Sequence, residues 1–255
     1  MSQASFQRPV ALVTGASRTR GIGASIASTL AQSGWDVAIT FWRPYDSAMP
    51  WGSDPEEVQS IRSHLQSLGA QTITIEADLS LTDSPSRIFE TVERELGSIT
   101  ALIMAHCQSV DSDILTTSVE SFDLHFAVNA RATWLLVREF GRRFRGAFGT
   151  GRIISLTSDH TVGNLPYGAS KGAMDRIVLS AAWEFKSLGI TANVINPGAT
   201  DTGWMSARQM DTERLRVPLG RVGLPQDCAN LVKFLCSKDG GWINAQLIHS
   251  NGGIQ

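Results

Sequence analysis

A chain of 255 residues with 42% hydrophobic residues is long enough to bury a sizeable core, as one large α/β fold or two small ones. A net charge of −2 with no basic stripe argues against nucleic acid or an anionic membrane as the main partner. No apolar run reaches the ~18 residues of a bilayer span, no apolar signal core opens the chain, and the cysteines, Cys107, Cys228 and Cys236, have no metal-like spacing; a cytoplasmic protein without a metal site is expected. No Pro/Gly/Ser linker or charge block divides residues 1–255, so a single domain is expected.

Val10 to Thr14 reads as an apolar strand, followed by Gly15-Ala-Ser-Arg-Thr-Arg-Gly21-Ile-Gly23 and a helix carrying Ile26, Ala27, Leu30 and Ala31. Strand, glycine-rich turn and helix N-terminus form a cradle for a pyrophosphate, because glycines admit close approach and free backbone N–H groups face the anion. The second strand, Asp36 to Phe41, runs into Trp42 and Arg43 where an acidic residue would accept from the 2′-hydroxyl of NAD. Arg18, Arg20 and Arg43 are candidates to face a 2′-phosphate, which suits guanidinium geometry; the plain alternative is loop arginines in water.

Residues 44–55, with Tyr45 and Trp51 among three prolines, are expected to form a long loop, functional or mobile. A helix near 56–68, a strand near 72–76, a helix near 85–96 and a strand over 101–104 continue the alternation, which implies a doubly wound parallel sheet with helices on both faces, an α/β, Rossmann-like fold. Asp78 is placed either to accept from an adenine amino group or to start a turn. One helix is expected from about Val119 through Phe144, with Asn129 unfavourably inside it and Arg142 and Arg143 complementing the dipole at its end.

Arg152 to Leu156 reads as a buried strand, with Ser158 just past its end. After Pro166 a helix is expected, on which Tyr167 and Lys171 share a face with Cβ atoms about 5–6 Å apart. An ammonium so close stabilises a tyrosinate, pulling a phenol that ordinarily titrates near ~10 towards neutrality and fitting it to exchange a proton with a carbonyl or alcohol oxygen. Ser158 would hold that oxygen, with Thr157 as the fallback hydroxyl. Gly168-Ala-Ser170-Lys-Gly172 also spells a hydrolase elbow, but the polar loop and Pro166 before it do not make the sharp strand-to-helix turn that such a serine needs.

Thr191 to Ile195 is a further strand, and Pro197 and Gly198 turn the chain at the edge where open α/β sheets bind ligands. Residues 199–217 lack periodicity and read as a substrate lid; Pro225 to Ser237 reads as a helix and Gln246 to His249 as a last strand.

Together these residues resemble the short-chain dehydrogenase/reductase family over nearly the full chain, through Thr14-Gly15…Gly21-Ile22-Gly23, Asp78-Leu79, Asn129, Ser158, Tyr167-x-x-x-Lys171 and Pro197-Gly198…Thr202. The chain is similar in particular to 3-oxoacyl-carrier-protein reductases. The resemblance implies Tyr167 as general acid/base, Ser158 orienting the substrate oxygen, Lys171 lowering the tyrosine pKa and binding the nicotinamide ribose, and Asn129 holding a relay water. It implies a dinucleotide with its pyrophosphate along Gly15, Gly21 and Gly23, its adenine at Asp78 and its nicotinamide end at Ile195 with Thr200 or Thr202, and further cofactor contacts from Ser17, Ile22, Trp42, Leu79, Ala105, Pro197 and Gly198. A homotetramer is implied too.

Three departures from the family pattern stand out. The glycine turn is longer than usual, so Arg18 to Arg20 must bulge out. Met104-Ala105-His106-Cys107 replaces the usual Asn-Asn-Ala-Gly, so either His106 or Cys107 projects towards nicotinamide or substrate, or the loop repacks. The Ser158–Tyr167 connection is short, which should widen the cleft between a rim of His160 and Leu165 and a rim of Trp204 and Met205, suiting a bulky ketone unless residues 104–107 fill the space. The reading is an oxidoreductase using NADP(H) in preference to NAD(H) on a small-molecule or carrier-linked carbonyl. Its alternatives are a dinucleotide-binding protein that has lost turnover and, third, a serine hydrolase using Ser170.

Overall fold

A computed structural model describes residues 8–160 and 162–254 of the chain. Among the described residues, β1 (Val10–Thr14), β2 (Asp36–Phe41), β4 (Ile99–Met104), β5 (Arg152–Leu156) and β6 (Thr191–Asn196) are almost wholly buried, which requires cover on both faces. With β3 (Thr72–Glu76) and β7 (Leu247–His249) they form one seven-stranded parallel sheet in the order β3-β2-β1-β4-β5-β6-β7. Side chains alternate between two cores. Ala11, Val13, Ile39 and Ile103 face α1 (Ile22–Gln32), α3 (Pro55–Ser67) and α9 (Pro225–Cys236). Leu12, Ala38, Leu102 and Ile153 face α4 (Ser84–Glu95), α6 (Ala132–Arg143) and α7 (Leu165–Glu184).

The chain winds outward from β1 to β3, then returns to lay β4 on the other side of β1, which opens a crevice at the strands' C-terminal ends. Gly15 stands there with φ +74°, and a Cβ on it would lie 2.6 Å from the His106 backbone, so only glycine lets the two strand ends approach.

Three expectations are corrected. The loop expected over 44–55 contains a short helix, α2 (Arg43–Ala48), started by Pro44 at its first positions and held by a hydrogen bond from Trp51 Nε1 to the buried Asp46. The helix expected over 119–144 is three segments in line: α5 (Val119–His125), a π-helical stretch Phe126–Arg131 and α6. The unperiodic lid carries α8 (Ala207–Arg216), none of whose residues is buried; its start is written as a capping box, Ser206 with Gln209, rather than as an apolar stripe. Among the described residues no helix is long and apolar enough to cross a membrane.

Candidate active site

A cleft of about 770 Å³ runs along the sheet's C-terminal edge, from Phe41, Trp42, Asp78 and Leu79 past Gly15, Ser17, Gly21, Ile22, Gly23 and Ala105 to Tyr167 and Lys171. At its centre, a Cβ on Gly23 would sit 2.4 Å from the Gly15 carbonyl oxygen, so the start of α1 packs directly against the first turn. No side chain caps α1 at Gly21, and its first turn holds no acid, which leaves N–H donors and the helix dipole free for an anion. This fits a dinucleotide pyrophosphate. The longer glycine turn is closed by the Gly21 N–H donating to the Arg18 carbonyl at 2.9 Å, which pushes Thr19 and Arg20 out.

The three arginines are not gathered on one spot. Arg20 is paired with Asp201 and Arg43 with Glu76, and neither lines the cleft. Arg18 does line it, but its guanidinium lies over the Trp51 ring at 4.3 Å and donates to the Thr202 carbonyl at 2.7 Å. Asp78 accepts from the Ser80 N–H at 2.8 Å, which is the turn-forming alternative, and also lines the cleft. Pro197 and Thr202 are on the wall; Gly198 and Thr200 lie behind it, the Thr200 hydroxyl turned back onto the Gly198 carbonyl at 3.2 Å.

At the far end, the first turns of α7 bring Tyr167 and Lys171 together: the Lys171 ammonium is 5.7 Å from the Tyr167 ring centre. It is buried, donates to the Leu156 carbonyl at 2.8 Å, and has otherwise only the Met174 sulfur at 3.8 Å. Burial lowers its pKa. The expected tyrosinate is corrected. Burial first, then the neighbouring Cys107, raises the Tyr167 pKa above its ordinary value, and only a hydrogen bond with Ser158 pulls the other way. The ammonium sits over the ring of Tyr167.

Ser158 is half-buried, accepts from the His160 N–H at 3.2 Å and lies 3.4 Å from His160 Nδ1; the His160 ring stands edge-on to Tyr167 at 6.3 Å. The rim expected beside the short connection is not where the sequence put it. The His160 carbonyl packs against Gly168 of α7, and Ser158, His160, Leu165 and Met205 are not on the cleft wall; Thr157 and Trp204 are. The Thr157 hydroxyl, buried, has no hydrogen-bond partner.

Asn129 is fully buried, and its side chain is saturated: Oδ1 accepts from the Gln108 N–H at 2.7 Å, and Nδ2 donates to the Gln108 carbonyl at 2.8 Å and to Ser170 Oγ at 2.9 Å. It anchors the loop after β4, and Ser170 is used in the same network, donating to the Tyr167 carbonyl at 2.9 Å. A serine so engaged inside a helix is no nucleophile elbow.

His106 and Cys107 both reach the cleft wall, and His106 is also tied back into the fold. His106 repacks: Nε2 must donate to the Val128 carbonyl at 3.1 Å, so Nδ1 accepts from the Thr14 hydroxyl at 2.7 Å. Burial takes its pKa down to about 3, so the ring is neutral. Below an unfolded pKa of ~6.5 the unfolded chain binds a proton that the fold refuses, so stability is lost as pH falls from ~6.5 towards 3, on the order of 1.4 kcal/mol per unit. Melting temperatures followed downward from neutral pH should therefore fall more steeply for the wild type than for His106→Asn; parallel curves would refute this. Burial raises the Cys107 thiol pKa, and the Tyr45 hydroxyl nearby donates to the Ser109 carbonyl at 3.3 Å.

Tyr45, Asp46 and Trp51, from the segment after β2, also line the cleft, as do Ser109, Asp111, Leu124 and Val128. Sequence reasoning missed them: no pattern marks a residue that reaches the site across the sheet. Among the described residues no cluster of three or more metal-ligating side chains occurs.

A family model described as enoyl-(acyl carrier protein) reductase matches residues 15–255. The uncharacterized oxidoreductase YjdA of Bacillus subtilis (strain 168) is 35% identical over 97% of this chain and 97% of its own length. An NADPH-dependent aldehyde reductase-like chloroplastic protein of Arabidopsis thaliana is 34% identical over 96% and 93%. The crystal structure of a short chain dehydrogenase from Burkholderia cenocepacia J2315 in complex with NADP superposes with a TM-score of 0.85, at 30% identity over 97% of this chain and 98% of that one.

Proposed function

Because this chain belongs to the short-chain dehydrogenase/reductase family, we propose that it reduces the carbonyl of a free small-molecule ketone with NADPH, or runs the reverse oxidation, using Tyr167 as general acid/base. The observation that carries this reading is the pairing of Tyr167 with Lys171 at one end of a cleft that has a glycine cradle at its centre, with Ser158 just past the end of β5. Bound NADPH would supply the hydride. Tyr167 gives its proton to the carbonyl oxygen, Ser158 donates a hydrogen bond to the same oxygen, and Lys171, a buried cation short of partners, takes up ribose hydroxyls. Val110, Leu124 and Val128 make the wall on the substrate side apolar, which favours a hydrophobic ketone over a highly polar one.

NADPH is the proposed cofactor because Phe41, Trp42 and Arg43 put no acid straight after β2. Arg43, which follows β2 just outside the cleft wall, is held by Glu76 through Nε at 3.0 Å and through Nη2, and a 2′-phosphate drawn to it would compete with that carboxylate. We expect kcat/KM for NADPH to exceed that for NADH by roughly tenfold or more, and Glu76→Gln to widen the gap. The test is loss of NADPH and of NADH absorbance over a panel of cyclic, aromatic and linear ketones and one 3-oxoacyl thioester. Equal cofactor values would sink the arginine argument, and binding without turnover of any substrate would favour a non-catalytic dinucleotide-binding protein. Assembly as a homotetramer is part of the proposal, supported by exposed Trp134 and Trp183 on the α6 and α7 side and by exposed Trp242 near edge strand β7.

A further inference from the structure

Trp51 follows β2, whereas Trp204 follows β6. Those strands are separated in the sheet by β1, β4 and β5, a span of about 19 Å at ~4.8 Å per strand. Yet the two indole rings are in contact, with centroids 4.9 Å apart at 49°. The contact is built from several directions: Arg18, from the glycine turn, lies over the Trp51 ring at 4.3 Å and donates to the Thr202 carbonyl at 2.7 Å. Tyr45 meets the same ring edge-on at 6.5 Å, and Asp46, 6% exposed, accepts from its Nε1 at 3.0 Å. Trp51 is thus oriented by α2, and Trp204 is brought to it by the turn after β6.

The consequence is topological. The strand ends form a floor, and the two excursions that meet above it close a ring. Trp51 and Trp204 line the same cleft as Asp78 and Leu79 at one end and Tyr167 and Lys171 at the other, so a ligand reaching both ends passes the Trp51–Trp204 contact.

We infer that Trp51, Trp204 and Arg18 form a clasp that closes over the dinucleotide, making Trp51 and Trp204 cofactor-holding residues in addition to the glycine cradle. The inference rests on the NADPH reading above. The clasp must part for the cofactor to enter, and it closes again by stacking and cation–π contact, so it slows release.

The test is stopped-flow binding and release of NADPH, read by its fluorescence, in the full chain and in Trp51→Ala and Trp204→Ala, which remove the same contact from opposite sides. In the wild type the observed association rate should level off at high NADPH as opening becomes limiting; in either variant it should rise linearly. Each variant should release NADPH roughly tenfold faster, the double variant no faster than the singles, and Trp51→Phe should recover part of the retention. Release within about twofold of the wild type in both single variants overturns the clasp and leaves the cofactor assignment standing. A wild-type chain that binds neither NADPH nor NADH overturns the cofactor assignment, and the clasp with it.

Discussion

Tyr167→Phe should lower ketone reduction by roughly 10²–10⁴-fold while leaving NADPH affinity within a factor of about three. The substitution removes one hydroxyl from the first turn of α7 and leaves the ring under the Lys171 ammonium, so packing and cation–π contact persist. What disappears is the transferable proton. Steady-state kcat beside a fluorescence titration with NADPH separates the two effects. A variant that kept most of its activity would move the donor elsewhere, and His160, 6.3 Å from Tyr167, would be next; His106 has both ring nitrogens committed.

Gly168→Ala should be the next most damaging change, although nothing about residue 168 suggests chemistry. A Cβ there would lie 2.0 Å from the His160 carbonyl oxygen and 3.1 Å from its carbon, both backbone atoms. The connection from Ser158 must then lift off α7 by about 1 Å, carrying Ser158 away from the tyrosine beside it, and a misplacement of that size costs about 10²-fold in rate. Gly172→Ala, one turn further along α7, meets nothing within 4 Å and should leave turnover unchanged while gaining roughly 0.5–1 kcal/mol of stability from helix propensity. Thermal melts and kcat for this pair decide the matter: equal activity in both would remove the argument that the short loop is positioned by contact with α7.

Much of the architecture was legible in the sequence because it rests on local pattern. The boundaries of β1, β2, β3 and β5 and the pairing of Tyr167 with Lys171 on one helix face follow from apolar runs and from spacing. The failures have a common physical cause. α2 is short, and Pro44 together with a side-chain bond from Trp51 to Asp46 defines it better than periodicity does. α8 buries nothing, so only its capping box announces it. The partners of Arg20, Arg43 and His106 lie far away in sequence, at Asp201, Glu76 and Val128, and no spacing rule reaches them. Proximity on a helix correctly put the ammonium near the phenol, but the direction of the tyrosine's pKa depended on burial, which only packing sets.

The π-helical stretch at Phe126–Arg131 has a mechanical meaning of its own. An α-helix advances about 100° per residue, so its faces stay in phase along the whole rod. Two jobs fall on this rod. Its first part must turn His125 to accept from the Val110 N–H at 3.0 Å, and its last part must turn Leu136 and Phe140 into the core. The wider π turn slips the phase between them, as a coupling joins two shafts set at different angles, and Asn129 sits in the coupling itself. Helix packing and loop anchoring are thereby decoupled: α6 keeps the phase the sheet requires, while α5 is free to take the phase required by the residues leading into the site.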